Sequence, residues 1–242
     1  MATPGYGTPN LGYFGSWFER EDPGGPMWAL NLMKYRPVAQ YADGRDTTLT
    51  GAEADDEYAP IDELAAVGAR ILFMAPVVHQ LVGDDTIWDR IAIAQYPTRM
   101  AMVEMNQRDD FKKQHAHKEA GMESTIVMAS FPYDDDPAPD PTLTGEGDDQ
   151  FMLLHVVADA SAPDLAADIE SIRIGRFWIE DYMIGDGREF AEARWDLISK
   201  ATADELAALP VVTGDSSSYA IVIDPKIDRI AHSLSDPTSV LL

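Results

Sequence analysis

Hydrophobic residues in the first half of the chain follow two periods that alternate along the sequence. Alternating or continuous apolar runs predict strands, and apolar positions three and four residues apart predict helices. The predicted strands are 28–36, 70–82, 88–96 and 124–131, and the predicted helices are 55–67 and 98–121. The order β-α-β-β-α-β is that of the split βαβ, or ferredoxin-like, unit.

The second half repeats this order. Its predicted strands are 151–158, 176–184, 190–199 and 219–224, and its predicted helices are 163–172 and 203–209. Each repeat would have an antiparallel sheet with helices on one face, so its other face needs a partner. We therefore predict an α+β fold in which two tandem ferredoxin-like βαββαβ units form an intrachain dimeric α+β barrel.

Segments rich in Gly, Pro and acidic residues predict the domain boundaries. An arm at 1–26 lacks the pattern of regular structure but carries five aromatic rings, so we expect it to dock. The first repeat then spans 27–133, the acidic segment 134–149 (DDDPAPDPTLTGEGDD) is a linker, and the second repeat spans 150–242.

Composition excludes several classes of function. The chain has 42 acidic and 18 basic residues, a formal net charge of -24, which opposes binding to nucleic acid or to an anionic membrane surface. It has no cysteine, which removes disulfides, thiolate nucleophiles and iron-sulfur clusters. No signal-peptide pattern and no apolar run of about 18 residues is present, so we expect a cytoplasmic protein without a membrane partner.

Four short motifs mark the first half of the chain: NLMKYR at 31–36, GAR at 68–70, WD at 88–89 and YPTR at 96–99. With these motifs the segment of about 28–131 resembles the dimeric α+β barrel superfamily, which includes antibiotic-biosynthesis monooxygenases, muconolactone isomerases and chlorite dismutases. It implies a pocket for a small, often aromatic molecule, lined by the sheet and the overlying helices. Since this superfamily hosts many activities, the function has to be argued from the site.

His79, Asn31 and Tyr35 are the predicted catalytic residues. By the period-two rule His79 shares an apolar strand face with Phe73, and an imidazole there suits a general base. The alternative for His79 is a core histidine bonded to a backbone carbonyl. Asn31 and Tyr35 share a face of the first strand, where an amide and a phenol can donate to a ligand oxygen.

The predicted substrate-binding residues are Trp88, Phe73, Met33, Met102 and His117. Ordinary packing is the alternative for each of them. On a helix, His115 and His117 would point about 200° apart and could not chelate one metal unless the helix breaks before Gln114, so no metal site is predicted. His155 is an isolated further candidate.

These residues predict an oxygenase of secondary metabolism that acts on a hydrophobic, phenolic or polyketide-like small molecule without a tightly bound cofactor. Deprotonation of an electron-rich phenol or anthrone gives a carbanion that can reduce oxygen directly, so the protein need supply only a base, an oxyanion donor and a dry pocket. An isomerase or cyclase, a non-catalytic binding protein and a haem protein are the alternatives. Free reduced flavin as a co-substrate and a homodimer both stay open.

Overall fold

The strand predicted at 70–82 forms with those bounds in the computed structural model, which describes residues 5–21, 24–214 and 217–236. The strands of the described chain are β1 (Thr8–Pro9), β2 (Met27–Tyr35), β3 (Arg70–Val82), β4 (Arg90–Tyr96), β5 (Met122–Pro132), β6 (Gln150–Val157), β7 (Ser171–Gly185), β8 (Glu192–Ser199), β9 (Ser218–Ile223) and β10 (Ile227–Asp228).

The helices are α1 (Leu11–Trp17), α2 (Gly51–Glu57), α3 (Ile61–Ala66), α4 (Arg99–Gln107), α5 (Asp109–Gly121), α6 (Lys200–Ala207) and α7 (Ile230–Ser235), with a 3-10 helix at Leu165–Asp168. Within the three described ranges, no helix combines the length and the apolar character needed to cross a bilayer.

Hydrogen bonding orders the strands as β1-β7-β5-β2-β4-β3-β9-β6-β8, and β7 also pairs with β8. Eight strands therefore form a closed antiparallel barrel, as predicted. The pairing of β6 with β8 is unbroken along the whole of β6, which has a mostly apolar sequence. Its register runs from Gln150 opposite Ser199 to Val157 opposite Glu192.

The strand order repeats, but the helices do not. The chain contains two sets of four consecutive strands, β2 to β5 and β6 to β9. In both sets the order across the sheet is fourth, first, third, second: β5-β2-β4-β3 and β9-β6-β8-β7. Four α-helices, α2 to α5, accompany the first set, whereas the described residues between the strands of the second set form only a 3-10 helix and α6. Two tandem ferredoxin-like units are therefore not confirmed.

Contacts among Cα atoms divide the chain into two compact units, each made of three segments. The first unit takes its residues from 1–71, 94–129 and 182–188, and the second from 72–93, 130–181 and 189–242. The boundaries predicted at residues 26, 133 and 149 stay predictions, and residues 1–4, 22–23, 215–216 and 237–242 within those segments lie outside the described chain.

The single helix predicted at 55–67 is wrong. Thr50 and Glu53 form a capping box, with the Glu53 amide donating to Thr50 Oγ1 at 3.2 Å, so the helix already begins at Gly51. It ends at Glu57, with Tyr58 as the C-cap, and Pro60 precedes a separate helix, α3. Proline has no N–H to continue the helical hydrogen bonds, which explains the break.

The helix predicted at 163–172 is also wrong, because tertiary contacts take the groups that it would use. Arg194 donates from Nη1 to the carbonyls of Ala162 and Pro163 at 3.0 and 3.1 Å. Arg173 binds Asp164, whose side chain caps only the short 3-10 helix. β7 then begins at Ser171, inside the predicted helix.

The amino-terminal arm has regular structure, contrary to the prediction, but it docks as expected. Asn10 caps α1 by accepting from the Tyr13 amide at 3.0 Å. Tyr6, Tyr13 and Trp17 are all buried, whereas Phe18 is exposed.

Candidate functional site

A group of buried and half-buried acid–base side chains lies in the first unit. We call it the acid–base cluster and define it as Tyr35 on β2, Asp55 and Tyr58 at the end of α2, and His115 and Lys118 on α5. All five come from the first unit.

On α5, Phe111, His115 and Lys118 are spaced by four and then three residues, so they share one helix face. This face meets the ring of Tyr58. The Tyr58 ring centroid lies 6.0 Å from that of Phe111 and 5.7 Å from that of His115, and Lys118 Nζ lies 5.4 Å from the Tyr58 centroid. An imidazole and an amine are thereby held beside aromatic surface.

Two glycines allow α2 and α5 to approach closely. A Cβ atom on Gly51 would overlap the carbonyl of Gly121 and would come within 2.7 Å of the Arg36 backbone, and one on Gly121 would overlap Gly51. The Arg36 amide donates to the Gly121 carbonyl at 2.9 Å, and the Gly51 amide donates to the Arg36 carbonyl at 3.0 Å. These contacts set the start of α2 against the end of α5.

The sheet side of the cluster is Tyr35. Its hydroxyl donates to Asp55 Oδ2 at 2.5 Å and lies 4.0 Å from Met33 Sδ on the same strand face. Asn31, two residues before Met33 on the same strand, donates from Nδ2 to the carbonyl of Ala29 at 2.8 Å. The structure therefore brings Tyr35 and Met33 together, as predicted from their alternation, while the Asn31 amide is bonded to its own strand.

Burial changes the proton affinities in the cluster. It lowers the pKa of His115 to about 4, with a further contribution from the Lys118 charge. It also lowers the pKa of Lys118, although the Asp55 carboxylate acts in the opposite direction. The pKa of Tyr58 is raised by burial and, more weakly, by neighbours that include Asp55. Near neutral pH the imidazole is therefore uncharged, and the amine gives up its proton more readily than an exposed lysine.

One polar atom of the cluster is buried without a partner. His115 Nε2 lies 2.9 Å from the hydroxyl of Tyr6, but Nδ1 has no hydrogen-bond partner among the described residues. A buried nitrogen in this state costs free energy unless a ligand or a water molecule satisfies it. The arrangement can therefore offer a small molecule one hydrogen bond at the imidazole Nδ1 and one base, the Lys118 amine.

Three of the predicted site residues, Phe73, His79 and Trp88, lie in the second unit. Phe73 is fully buried and packs edge-on against Trp195, with ring centroids 4.9 Å apart. Trp88 is buried beside Tyr219, with centroids 5.7 Å apart, and its amide donates to Gln80 at 3.4 Å. His79 is half-buried on β3, and its Nε2 is buried with no hydrogen-bond partner in the described part of the chain.

His117 and Met102 lie in the first unit but outside the acid–base cluster. α5 is continuous through Gln114, so His117 faces another direction from His115 and its Nδ1 lies 2.8 Å from the Tyr41 hydroxyl. Met102 is half-buried on α4, whereas its neighbour Met105 contacts the Tyr96 hydroxyl at 3.7 Å. Among residues 5–21, 24–214 and 217–236, no three His, Cys, Asp or Glu side chains come together as a metal site.

Sequence reasoning missed Asp55, Tyr58 and Lys118. A signal for them existed, because Asp55 and Tyr58 are three residues apart at a helix end and Lys118 follows Phe111 and His115 at helical spacing.

The second unit contains buried charges that already have structural partners. Arg194 binds Glu192 at 2.5 Å and three backbone carbonyls of the 160–163 segment. Arg173 joins Asp164 and Asp196 at 2.6 and 2.8 Å. These pairs hold the segment that replaces the predicted helix, so we assign them a structural role.

The fold and the cluster together define an α+β protein with a closed antiparallel barrel of eight strands and a buried acid–base group in its first unit. No protein-family model matches the chain, and no curated protein matches it.

Several solved structures are similar to it. The methylated RPA0582 protein shares 30% identity at a TM-score of 0.49, covering 56% of this chain and 100% of that chain. A second structure of RPA0582, a protein of unknown function from Rhodopseudomonas palustris, shares 28% identity at a TM-score of 0.45, with coverages of 52% and 95%. A proposed monooxygenase from Fusobacterium nucleatum shares 11% identity at a TM-score of 0.44, with coverages of 84% and 93%.

Proposed function

We propose that this chain is an oxygenase that acts on a hydrophobic phenolic or polyketide-like compound without a tightly bound cofactor, and that the acid–base cluster is its active site. The observation that carries the proposal is the face of α5 on which the amine of a half-buried lysine and an unpaired imidazole nitrogen lie beside aromatic rings. Titratable groups whose pKa values are moved by burial are concentrated at catalytic sites.

The directions in which the pKa values of Lys118 and His115 are shifted assign the catalytic roles of these two residues. Lys118 is the general base, because burial lowers its pKa and leaves more of the amine unprotonated near neutral pH. His115, with a pKa of about 4, is too weak a base for this task and acts as a neutral hydrogen-bonding group. Asp55 favours the ammonium that forms when Lys118 takes the proton, and Tyr35 holds Asp55 in place through its hydrogen bond.

The chemistry needs only oxygen as a second substrate. When Lys118 removes a proton from an anthrone, the carbanion that results transfers electrons to O2, and the overall change converts one CH2 group and one O2 into one C=O group and one H2O. The buried rings around the amine exclude water from the carbanion. The same base without oxygen would catalyse an isomerisation, which is the alternative reaction at this site.

Oxygen uptake with 1,8-dihydroxyanthrone, without added flavin, tests the proposal. We expect turnover by the native chain, a loss of at least about 100-fold in Lys118→Met, and little change in Lys113→Met, an exposed lysine on the same helix. Substrate consumption that continues without oxygen would indicate an isomerase. A raised melting temperature without any turnover would indicate a binding protein, and either result refutes the oxygenase.

A parallel His79→Ala variant compares the two candidate bases. His79 lies in the second unit, and its role stays a prediction. Retained turnover in Lys118→Met together with loss of turnover in His79→Ala would return the role of base to His79.

A further inference from the structure

The amino-terminal arm places a phenol against the acid–base cluster. The Tyr6 carbonyl accepts from the Thr125 amide at 3.0 Å, and the next residues continue as β1, where Thr8 lies opposite Gly185. The Asn10 amide then donates to the Met183 carbonyl at 2.9 Å. Backbone bonds on both sides of Gly7 therefore fix the direction of the Tyr6 side chain.

Gly7 allows this close docking. A Cβ atom at residue 7 would lie 2.8 Å from Ile184 Cγ2 and 3.3 Å from the Thr125 carbonyl oxygen, so a larger residue would push the arm away. The absence of a side chain at Gly7 thus lets the arm pack closely enough to hold Tyr6 in its position.

Tyr6 makes a directed contact with the cluster. Its ring lies edge-on to the His115 imidazole, with centroids 6.4 Å apart and an interplanar angle of 63°, and its hydroxyl lies 2.9 Å from Nε2. Burial, and secondly the charge of Glu119, raise the pKa of Tyr6, so the phenol keeps its proton. A protonated phenol can donate to an imidazole lone pair, and in that arrangement the imidazole proton is on the other nitrogen.

We propose that Tyr6 is a positioning residue: by donating to Nε2 it holds His115 as the Nδ1–H tautomer, and this unpaired N–H is the donor to the substrate oxygen. The inference rests on the proposed function and names its substrate class. Asp55 and Glu63, both buried in the first unit, oppose a bound anion. The substrate is therefore a neutral phenol or ketone that develops negative charge on oxygen only after Lys118 has taken a proton.

The chain offers a matched control on the same helix. Tyr41 and His117 form a second phenol–imidazole pair, at 2.8 Å, outside the cluster. The test compares Tyr6→Phe with Tyr41→Phe in the full chain, using NMR of ¹⁵N-labelled histidine to identify which ring nitrogen carries the proton, and oxygen uptake with 1,8-dihydroxyanthrone to measure turnover.

In the native chain we expect His115 as the Nδ1–H form. Tyr6→Phe should convert it to a mixture and lower kcat by about 10-fold to 100-fold with little change in KM, below the cost of removing an oxyanion donor outright. Tyr41→Phe should change only the His117 signals. Nε2–H as the main form in the native chain would overturn the inference even if turnover is observed, and so would an unchanged kcat in Tyr6→Phe.

Failure of the proposed function would be recognised separately. If the native chain does not turn over the anthrone, the oxygenase proposal fails. The NMR comparison would then decide the tautomer by itself, since it needs no substrate.

Discussion

Replacing His155 should remove a large part of the acid sensitivity of the fold. His155 lies on β6 with 4% of its surface exposed, opposite Arg194 in the register with β8. Its Nε2 is 3.2 Å from Ser218 Oγ, and Nδ1 has no hydrogen-bond partner within the described chain. Burial, followed by the Arg194 charge, lowers the pKa of His155 from 6.5 to about 4.

The sign and size follow from proton linkage. Between pH 6.5 and pH 4 the unfolded chain binds a proton at this histidine that the folded chain does not bind, so the free energy of unfolding falls as the pH falls through this window. At about 1.36 kcal/mol per unit of pKa, the loss between pH 7 and pH 4.5 is roughly 2 kcal/mol from this residue.

Urea unfolding of the native chain, His155→Leu and His155→Gln at both pH values measures this loss. The two variants will differ in absolute stability, but neither titrates at residue 155, so both should be less acid-sensitive than the native chain by the same roughly 2 kcal/mol. Other titrating groups, His115 included, are present in all three proteins and cancel. Equal acid sensitivity in all three proteins would refute the reasoning.

Three further predictions test the cluster and the packing around it. With Lys118 as the base, kcat/KM should rise with pH up to a pKa below the ordinary lysine range, because the amine must be unprotonated, and a pH profile without this limb would contradict the role. Gly51→Ala should lower the free energy of unfolding in urea by at least about 2 kcal/mol, because its Cβ would overlap Gly121. Gly15→Ala in α1, with open space around the residue, should be neutral or stabilising. Equal effects of the two substitutions would refute the close approach of α2 and α5. Phe73→Ala should cost about 3–5 kcal/mol as a core truncation against Trp195, and a much smaller loss would favour the substrate-binding role predicted from the sequence.

Most strands could be predicted from the sequence because their signal is local. Continuous apolar runs such as 70–82, bounded by Gly68 and by the Gly83-Asp84 turn, become strands wherever they are buried. The helices were less predictable. Whether 163–172 could form a helix depended on Arg194, which is 31 residues from Pro163, and on Arg173, which is 9 residues from Asp164. The hydrophobic pattern of the segment indicates neither contact.

The candidate site was predicted only in part. Alternation on β2 correctly placed Met33 with Tyr35, because side chains two residues apart on a strand share a face. Asp55 lies at the end of α2 and Tyr6 lies just before β1 in the arm. Their contacts with Tyr35 and His115 join segments that are distant in the chain, so no local periodicity indicates these partners.

The sequence by itself thus determined the α+β class, the order of the strands along the chain and the positions that alternate toward each face, since these depend on burial of apolar residues at short spacing. The tertiary structure decided which strands become neighbours, where two helices end, and which titratable groups share a buried environment. That last decision depends on contacts such as Tyr35 with Asp55 and Tyr6 with His115, 20 and 109 residues apart in the chain, which no local pattern encodes.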